Sequence, residues 1–382
     1  MRLLAIGDGV APTGLARALQ SILLNLPRQD YDIHHLAINY RGDPHDLPWP
    51  VYPAGAMGDP FGFNRVEKMA AILQPEVIVV FSDPWVIERY LKVFKSLKAS
   101  PKIIPLVLLE SDGIDDGWFS DYDQVERVVA VNPYAKALIE TAAPSLQGRV
   151  EVIPLGVDRQ KFFPPPDGLP AAKRKLSLDP DGFVILNANR NQPRKRIDLT
   201  LAAFRIFAEG KPGNVQLFLH MGIADVGWNV LKLARRYGIE DRIVMSSTGG
   251  EIPDCSDVDL NTIYQACEVG VNTAALEGWG LVAFEHALAG GAQVMADIPS
   301  LRPAWSESAV MAPTDKTLVA EHVLFNEYLV DESKLAGILN RLYEAHKYRR
   351  SVSAACRANA LKPEYDWSTI GEQWDALLRS VA

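Results

Sequence analysis

Short apolar runs alternate with amphipathic stretches twice along this 382-residue chain, and that rhythm leaves few folds open. In the first pass RLLAI, IHHLAI, VIVVF (77–81), IIPLVLL (103–109) and RVVAV read as strands. Helices are predicted over 15–26, 64–73 and 133–142, with another between VIVVF and IIPLVLL. A fully apolar run such as VIVVF is what a strand buried on both faces of a parallel sheet requires. The polar, proline-rich stretch 39–60 reads as irregular loop. Prolines 164–166 mark a linker, after which the rhythm restarts with FVILNANR, VQLFLHMG, RIVMSS, VGVNT and AQVMA as strands. The helices between them are expected over 197–209, 227–237, DLNTIYQAC and the residues after EGWG. Strands alternating with helices twice over predict an α/β chain of two Rossmann-like, doubly wound domains, 1–163 and 164–360. A last segment, 361–382, predicts an amphipathic helix with Trp367, Ile370, Trp374, Leu377 and Leu378 on one face and Ser368 as N-cap. It lies well beyond the last strand and is expected to pack back on the first domain.

Charge and hydropathy remove several functions. The formal charge of −8 disfavours nonspecific attraction to nucleic acid or anionic lipid, with RNQPRKR (190–196) as the one obvious basic segment. Three cysteines with no CxxC pair fit a reducing compartment, not a disulfide framework. The N-terminal apolar stretch is too short for a signal peptide, and no run approaches the ~20 apolar residues of a membrane span. These readings predict a cytoplasmic protein, with peripheral membrane contact left open.

Chemistry concentrates in the second half. The segment EGWGLVAFE puts Glu277 and the glycines Gly278 and Gly280 in a loop between a strand and a helix, with Glu285 about one turn into that helix. Glycines admit close backbone approach, and the first amides of a helix can hold a phosphate. Glu277 is placed to bond a sugar and Glu285 a ribose diol; two solvated glutamates are the plain alternative. Arg190 and Lys195 follow another strand, where two permanent cations can neutralise a diphosphate. His220 ends a strand, and Thr248 opens the loop after RIVMSS. DCSDVD (254–259) reads as a solvated acidic loop before a helix, because it lacks a matching set of metal ligands.

EGWGLVAFEHALAGG resembles the E-x7-E signature of the family 4 retaining glycosyltransferases, which have the two-domain GT-B fold. Trp279 stands where the family usually has Phe, and Ala292 where a proline follows the glycine pair. NANRNQPRKRIDLTLAAF resembles the family's strand and loop with an Arg and, five residues on, a Lys; Arg196 takes the place of the Gly usual after that Lys. VIPLGVDRQKFFP, GDGVAPTGLARAL and YDWSTIGEQW resemble its pre-linker stretch, N-terminal glycine loop and terminal helix, so the likeness spans nearly the whole chain.

The resemblance implies two domains facing across a cleft and a sugar moved from a nucleotide-diphosphate sugar to an acceptor hydroxyl. No metal or other cofactor is required. The diphosphate leaves and takes the acceptor proton on the same face, with Arg190 and Lys195 stabilising it and Glu277 on the sugar. The donor contacts it implies are Gly14, Gly278, Trp279, Gly280, Leu281, Glu285, His220 and Thr248. Many relatives place a His after the strand that corresponds to IIPLVLL. Here the chain reads LLESDG, with Glu110 or Ser111 at the His position and Asp112 matching the Asp, a carboxylate that can orient the acceptor hydroxyl or contact the donor sugar; an ordinary acidic turn is the plain alternative. UDP is the expected nucleotide, as the commonest in the family, with GDP and ADP open.

Two other classes compete: another enzyme of the same fold, such as an epimerase or a phosphorylase, and a noncatalytic binding relative. The chain has neither the acid/base histidines of the first nor the pyridoxal lysine motif of the second. Arg190, Lys195, Glu277 and Glu285 together disfavour the noncatalytic relative. The acceptor is unreadable: a glycan, a lipid-linked chain and a small molecule all fit, and a modified nucleic-acid base is a remote option. Oligomeric state is open as well.

Overall fold

The computed structural model describes residues 1–55, 58–98, 100–114, 116–247, 249–253, 255–321 and 324–382. The chain divides into two compact units, Met1–Gly156 with Glu364–Ala382, and Val157–Pro363. The division falls ahead of the proline cluster because the intervening residues pack on the second unit. There Phe162 is buried against Tyr264, with ring centroids 5.6 Å apart.

The first unit runs β1 (Arg2–Asp8), α1 (Gly14–Leu24), β2 (Asp32–Ile38), β3 (Val51–Pro53), α2 (Phe63–Leu73), β4 (Val77–Ser82), α3 (Pro84–Phe94), β5 (Lys102–Val107), β6 (Val128–Ala130), α4 (Pro133–Ala142) and β7 (Val150–Val152). Its seven strands lie parallel in the order β3-β2-β1-β4-β5-β6-β7. Leu4, Ile6, Ile78, Val80 and Ile103 form the buried middle of the sheet against Val86, Ile87, Leu91 and Ile139 of the covering helices. Each such side chain contributes roughly 1.5–3 kcal/mol relative to exposure. The stretch 39–60, expected to be irregular throughout, contains β3. That strand is three residues long and sits at the sheet edge between prolines, where no periodicity can show it.

The second unit runs α5 (Leu169–Lys175), β8 (Phe183–Asn187), α6 (Ile197–Ala208), β9 (Val215–Leu219), α7 (Val230–Arg236), β10 (Ile243–Met245), α8 (Asp257–Gln265), β11 (Val269–Asn272), α9 (Leu281–Leu288), β12 (Ala292–Ala296), α10 (Arg302–Trp305), β13 (Val310–Ala312), β14 (Lys316–Val319), β15 (Asn326–Leu329), α11 (Glu332–Glu344) and α12 (His346–Ala360). Six parallel strands take the order β10-β9-β8-β11-β12-β13, and β14 pairs β15 as a separate antiparallel hairpin. The sequence running outward in both directions from β8 and β11 creates a topological switch point between them. The helix expected from 227 starts only at Val230, because Asn229 caps it by accepting from Lys232 N. Residues 227 and 228 are bonded to Asn191 instead.

The last helix, α13 (Trp367–Val381), belongs to the first unit. Trp367, Ile370, Trp374, Leu377 and Leu378 are buried. Tyr31 Oη donates to Asp375 Oδ1 at 2.6 Å, and Arg379 reaches Asp30 at 2.5 Å. Its N-cap is Asp366, not Ser368: Asp366 accepts from Ser368 N at 3.0 Å and from Ser368 Oγ at 2.6 Å. A carboxylate at that position also favours the positive end of the helix dipole.

Candidate functional site

The loops that follow β8 and β11 meet at the switch point, and a hydrogen-bonded seam holds them together. Ala275 N donates to Arg194 O at 2.8 Å. Thr273 Oγ1 donates to the carbonyls of Lys195 and Arg196 at 3.1 and 3.0 Å. Behind it Thr200 Oγ1 lies 2.7 Å from Thr273 Oγ1 and accepts from Asn187 Nδ2 at 2.9 Å. This seam fixes the backbone on which the charged groups stand.

Lys195 closes a short 3-10 turn, Pro193–Lys195. Its Nζ donates to Glu277 Oε2 at 2.8 Å, with side-chain exposures of 7% and 11%. Asn272 Nδ2 approaches the same carboxylate at 3.5 Å, and Ser300 Oγ donates to the Glu277 carbonyl at 2.6 Å. Burial alone would raise the Glu277 pKa. The adjacent Lys195 ammonium, the Arg194 guanidinium and the hydrogen bonds outweigh it and hold the carboxyl below its usual range.

Arg196, where the family usually has Gly, takes the left-handed conformation at φ 48°. That conformation costs a non-glycine residue on the order of 1 kcal/mol. Its guanidinium bonds Asp198 through Nε at 3.0 Å and Nη2 at 2.7 Å, which offsets part of that cost.

Gly280 enters α9 with φ 82°, a conformation open to glycine, and no side chain caps the helix. The first turn of α9 therefore turns its amides toward the strand ends, the arrangement that binds anions. Four residues after Leu281, Glu285 is buried and accepts from Tyr264 Oη at 2.8 Å. Trp279 is 4% exposed and lies parallel to Phe284, with centroids 5.2 Å apart; Phe284 in turn packs on Trp305. The indole is thus part of the packing that shapes the loop.

Arg190, also after β8, is held by Asp225 in the loop after β9: Nε to Oδ2 and Nη2 to Oδ1, both 3.0 Å. His220 stands at the end of β9 with Nδ1 2.7 Å from Ser246 Oγ, and burial pulls its pKa down to about 4, so it is neutral near pH 7. It borders a cavity of about 520 Å³ lined also by Met245, Ser246, Pro253 and Thr262.

The fold thus carries Arg190, Lys195, His220, Glu277, Gly278, Trp279, Gly280, Leu281 and Glu285 at the strand-end edge of the second unit. Gly14 and Asp112 lie on the first unit: Gly14 opens α1, and Asp112 follows β5 beside the buried Ser111, whose Oγ is 3.4 Å from Asp112 Oδ1. Thr248 lies outside the described residues. In the acidic loop, Ser256 caps α8 by accepting from Asp259 N at 3.1 Å; Asp254 lies outside the described residues. Among the described residues no group of three or more His, Cys, Asp or Glu is arranged for a metal, and no helix is long and apolar enough to cross a membrane. Sequence reasoning missed Asp225, Thr273 and Tyr264, none of which sits in a motif.

No protein-family model matches the chain. It is 29% identical over 242 residues to a D-inositol 3-phosphate glycosyltransferase of Thermomonospora curvata, covering 60% of this chain and 49% of that protein. The chain spans about half the length of the curated relatives it matches. Among solved structures, a sucrose-phosphate synthase from Thermosynechococcus elongatus superposes with a TM-score of 0.76 at 16% identity, over 100% of this chain and 98% of that one. Anabaena HepE, solved with UDP and glucose, gives a TM-score of 0.74 at 17% identity over the whole of both chains.

Proposed function

We propose that this chain, a relative of the family 4 glycosyltransferases with their GT-B fold, moves a sugar from a nucleotide-diphosphate donor to an acceptor hydroxyl. The donor is UDP-linked, the anomeric configuration is retained, and no metal is needed. The observation that carries this reading is the Lys195–Glu277 pair at the switch point, with Arg190 on the same loop and the open end of α9 beside it. Two side-chain cations and oriented amides supply the positive charge that a departing diphosphate needs, inside a site that excludes much water.

In this scheme the glycosidic bond forms on the face from which the diphosphate leaves, and a diphosphate oxygen takes the acceptor's proton. Arg190 and Lys195 stabilise the growing negative charge. Glu277, kept ionised by Lys195, accepts hydrogen bonds from the donor sugar. Glu285 accepts from the ribose diol. His220 and the backbone of 278–281 complete the donor contacts, and the first unit, with Asp112 at its strand-end edge, handles the acceptor. UDP is chosen because HepE was solved with it.

The test is a panel of nucleotides and nucleotide sugars, read by thermal stabilisation and by slow donor hydrolysis, with and without EDTA. A ligand at 100 times its Kd stabilises by ~2.7 kcal/mol. UDP-sugars are expected to raise the melting temperature and to be hydrolysed equally well in EDTA. Failure of every nucleoside diphosphate and nucleotide sugar to stabilise the chain would overturn the reading.

A further inference from the structure

Asp225 belongs to no motif, yet its geometry ties it to the donor site. Its side chain is 2% exposed, against 40% for Arg190. Both carboxylate oxygens engage the arginine at 3.0 Å, and Oδ1 also accepts from Val226 N at 2.9 Å. The buried carboxylate is therefore the fixed partner, and the long arginine side chain is the one being held.

The loop that carries Asp225 is fastened to the residue next to Arg190. Gly227 N donates to Asn191 O at 2.8 Å. Asn191 Nδ2 donates to Trp228 O at 2.7 Å, and Asn191 Oδ1 accepts from Trp228 N at 2.9 Å. The approach is so close that a Cβ on Gly227 would lie 2.4 Å from Asn191 O. Backbone and side chain of one short stretch are thus located against each other twice, through Asn191 and through Arg190.

We infer that Asp225 is a positioning residue for the donor diphosphate, acting by locking the Arg190 guanidinium in the orientation that receives it. This rests on the donor-site reading above. A guanidinium has five N–H groups in a planar fork. Asp225 takes one on Nε and one on Nη2, and the rest meet no hydrogen-bond partner among the described residues. They form the edge that pairs with phosphate oxygens. A free arginine side chain samples many rotamers, and the pair removes that freedom before ligand arrives. In the competing design the carboxylate masks the arginine until ligand displaces it, and Asp225→Asn would then tighten binding.

The test uses calorimetric binding of UDP, GDP and ADP to the full chain, taking the tightest forward with Asp225→Asn, Arg190→Ala and the double variant. Asp225→Asn is expected to weaken binding about tenfold, and to change it less than about twofold when Arg190 is already alanine. A residue with a merely structural role would weaken both backgrounds alike. Gly227→Ala, which displaces the same loop, is expected to show the same dependence on Arg190 and serves if Asp225→Asn does not fold. Unchanged or tighter binding by Asp225→Asn, or an equal loss in both backgrounds, overturns the proposal alone. A wild-type chain that binds none of the three nucleotides overturns it together with the donor-site reading.

Discussion

Lys195 Nζ and Glu277 Oε2 sit 2.8 Å apart although the two residues are 82 positions apart in sequence, and both side chains are nearly inaccessible. Such a pair is poised, but it is also a liability. Removing one partner of a buried pair strands the other charge, at ~3–5 kcal/mol. Lys195→Ala is therefore expected to lower turnover about 100-fold, as for other lost transition-state contacts, and also to lower the melting temperature. Combining it with Glu277→Gln should restore much of the stability and none of the activity. Donor hydrolysis rates beside thermal melts check both parts; a Lys195→Ala enzyme as active and as stable as wild type contradicts the assignment.

Several groups shape the acid limb of stability, among them the buried histidines His35, His220 and His286, each pulled to about 4 by burial, and the carboxyl of Glu277. His286 is fully buried; in the assigned tautomer Nε2 donates to Cys267 O at 3.0 Å and Nδ1 accepts from Gln293 Nε2 at 3.1 Å. Gln293 also donates to Gly291 O at 2.9 Å, so a second proton on the ring would face a donor. Burial pulls the His286 pKa to about 4. The unfolded chain takes up that proton near pH 6.5, so the stability is complete above ~6.5 and is lost as pH falls toward 4, at about 1.4 kcal/mol per pH unit. Glu277, with its pKa also lowered, adds a loss only below the unfolded glutamate value of ~4.3. The unfolding free energy of His286→Gln is expected to fall less steeply between pH 6.5 and 4, by about one proton. Denaturant titrations at several pH values measure that slope; parallel slopes for the two proteins would contradict it.

What was legible in the sequence had a period or a motif. VIVVF reads as a parallel strand because nothing but burial on both faces tolerates five apolar residues, and β4 is buried throughout. The terminal helix was legible from its apolar face. β3 and the β14–β15 hairpin were not: one is three residues long, and the other is exposed or half-exposed along its length, so neither shows an alternation. Arg190, Lys195, Glu277 and Glu285 stood out through spacing that resembles a family. Asp225, Thr273 and Tyr264 could not stand out, because each acts through a contact 21 to 78 residues away in sequence that only the fold creates.

Trp279 separates shape from chemistry in the glycine loop. Its ring lies 9° from parallel with Phe284 and is buried. Trp279→Phe, the residue more usual in the family, keeps an aromatic stack and is expected to leave nucleotide binding within about threefold. Trp279→Ala removes a buried ring at ~3–5 kcal/mol and should lower the melting temperature by several degrees. Melts and nucleotide titrations on the two variants decide the matter. If Trp279→Phe abolishes binding while the fold is intact, the indole itself contacts the donor.

Glu285 offers the most direct test of the proposed ribose contact. Tyr264 Oη donates to Glu285 Oε2 at 2.8 Å, and the tyrosine is itself enclosed, 5.6 Å from the Phe162 ring and 5.7 Å from His286. The phenol therefore helps to fix the orientation of the carboxylate. Glu285→Ala removes the carboxylate that accepts from Tyr264 Oη, so it is expected to weaken nucleotide binding at least tenfold. Tyr264→Phe removes one hydrogen bond of about 1.5–3 kcal/mol to a charged group but keeps the ring, so binding should fall less, about fivefold. The discriminating measurement is a comparison of UDP with its 2′,3′-dideoxy analogue. Wild type should prefer UDP strongly, Tyr264→Phe moderately, and Glu285→Ala hardly at all. A Glu285→Ala protein that still discriminates as wild type does would move the ribose contact to another residue.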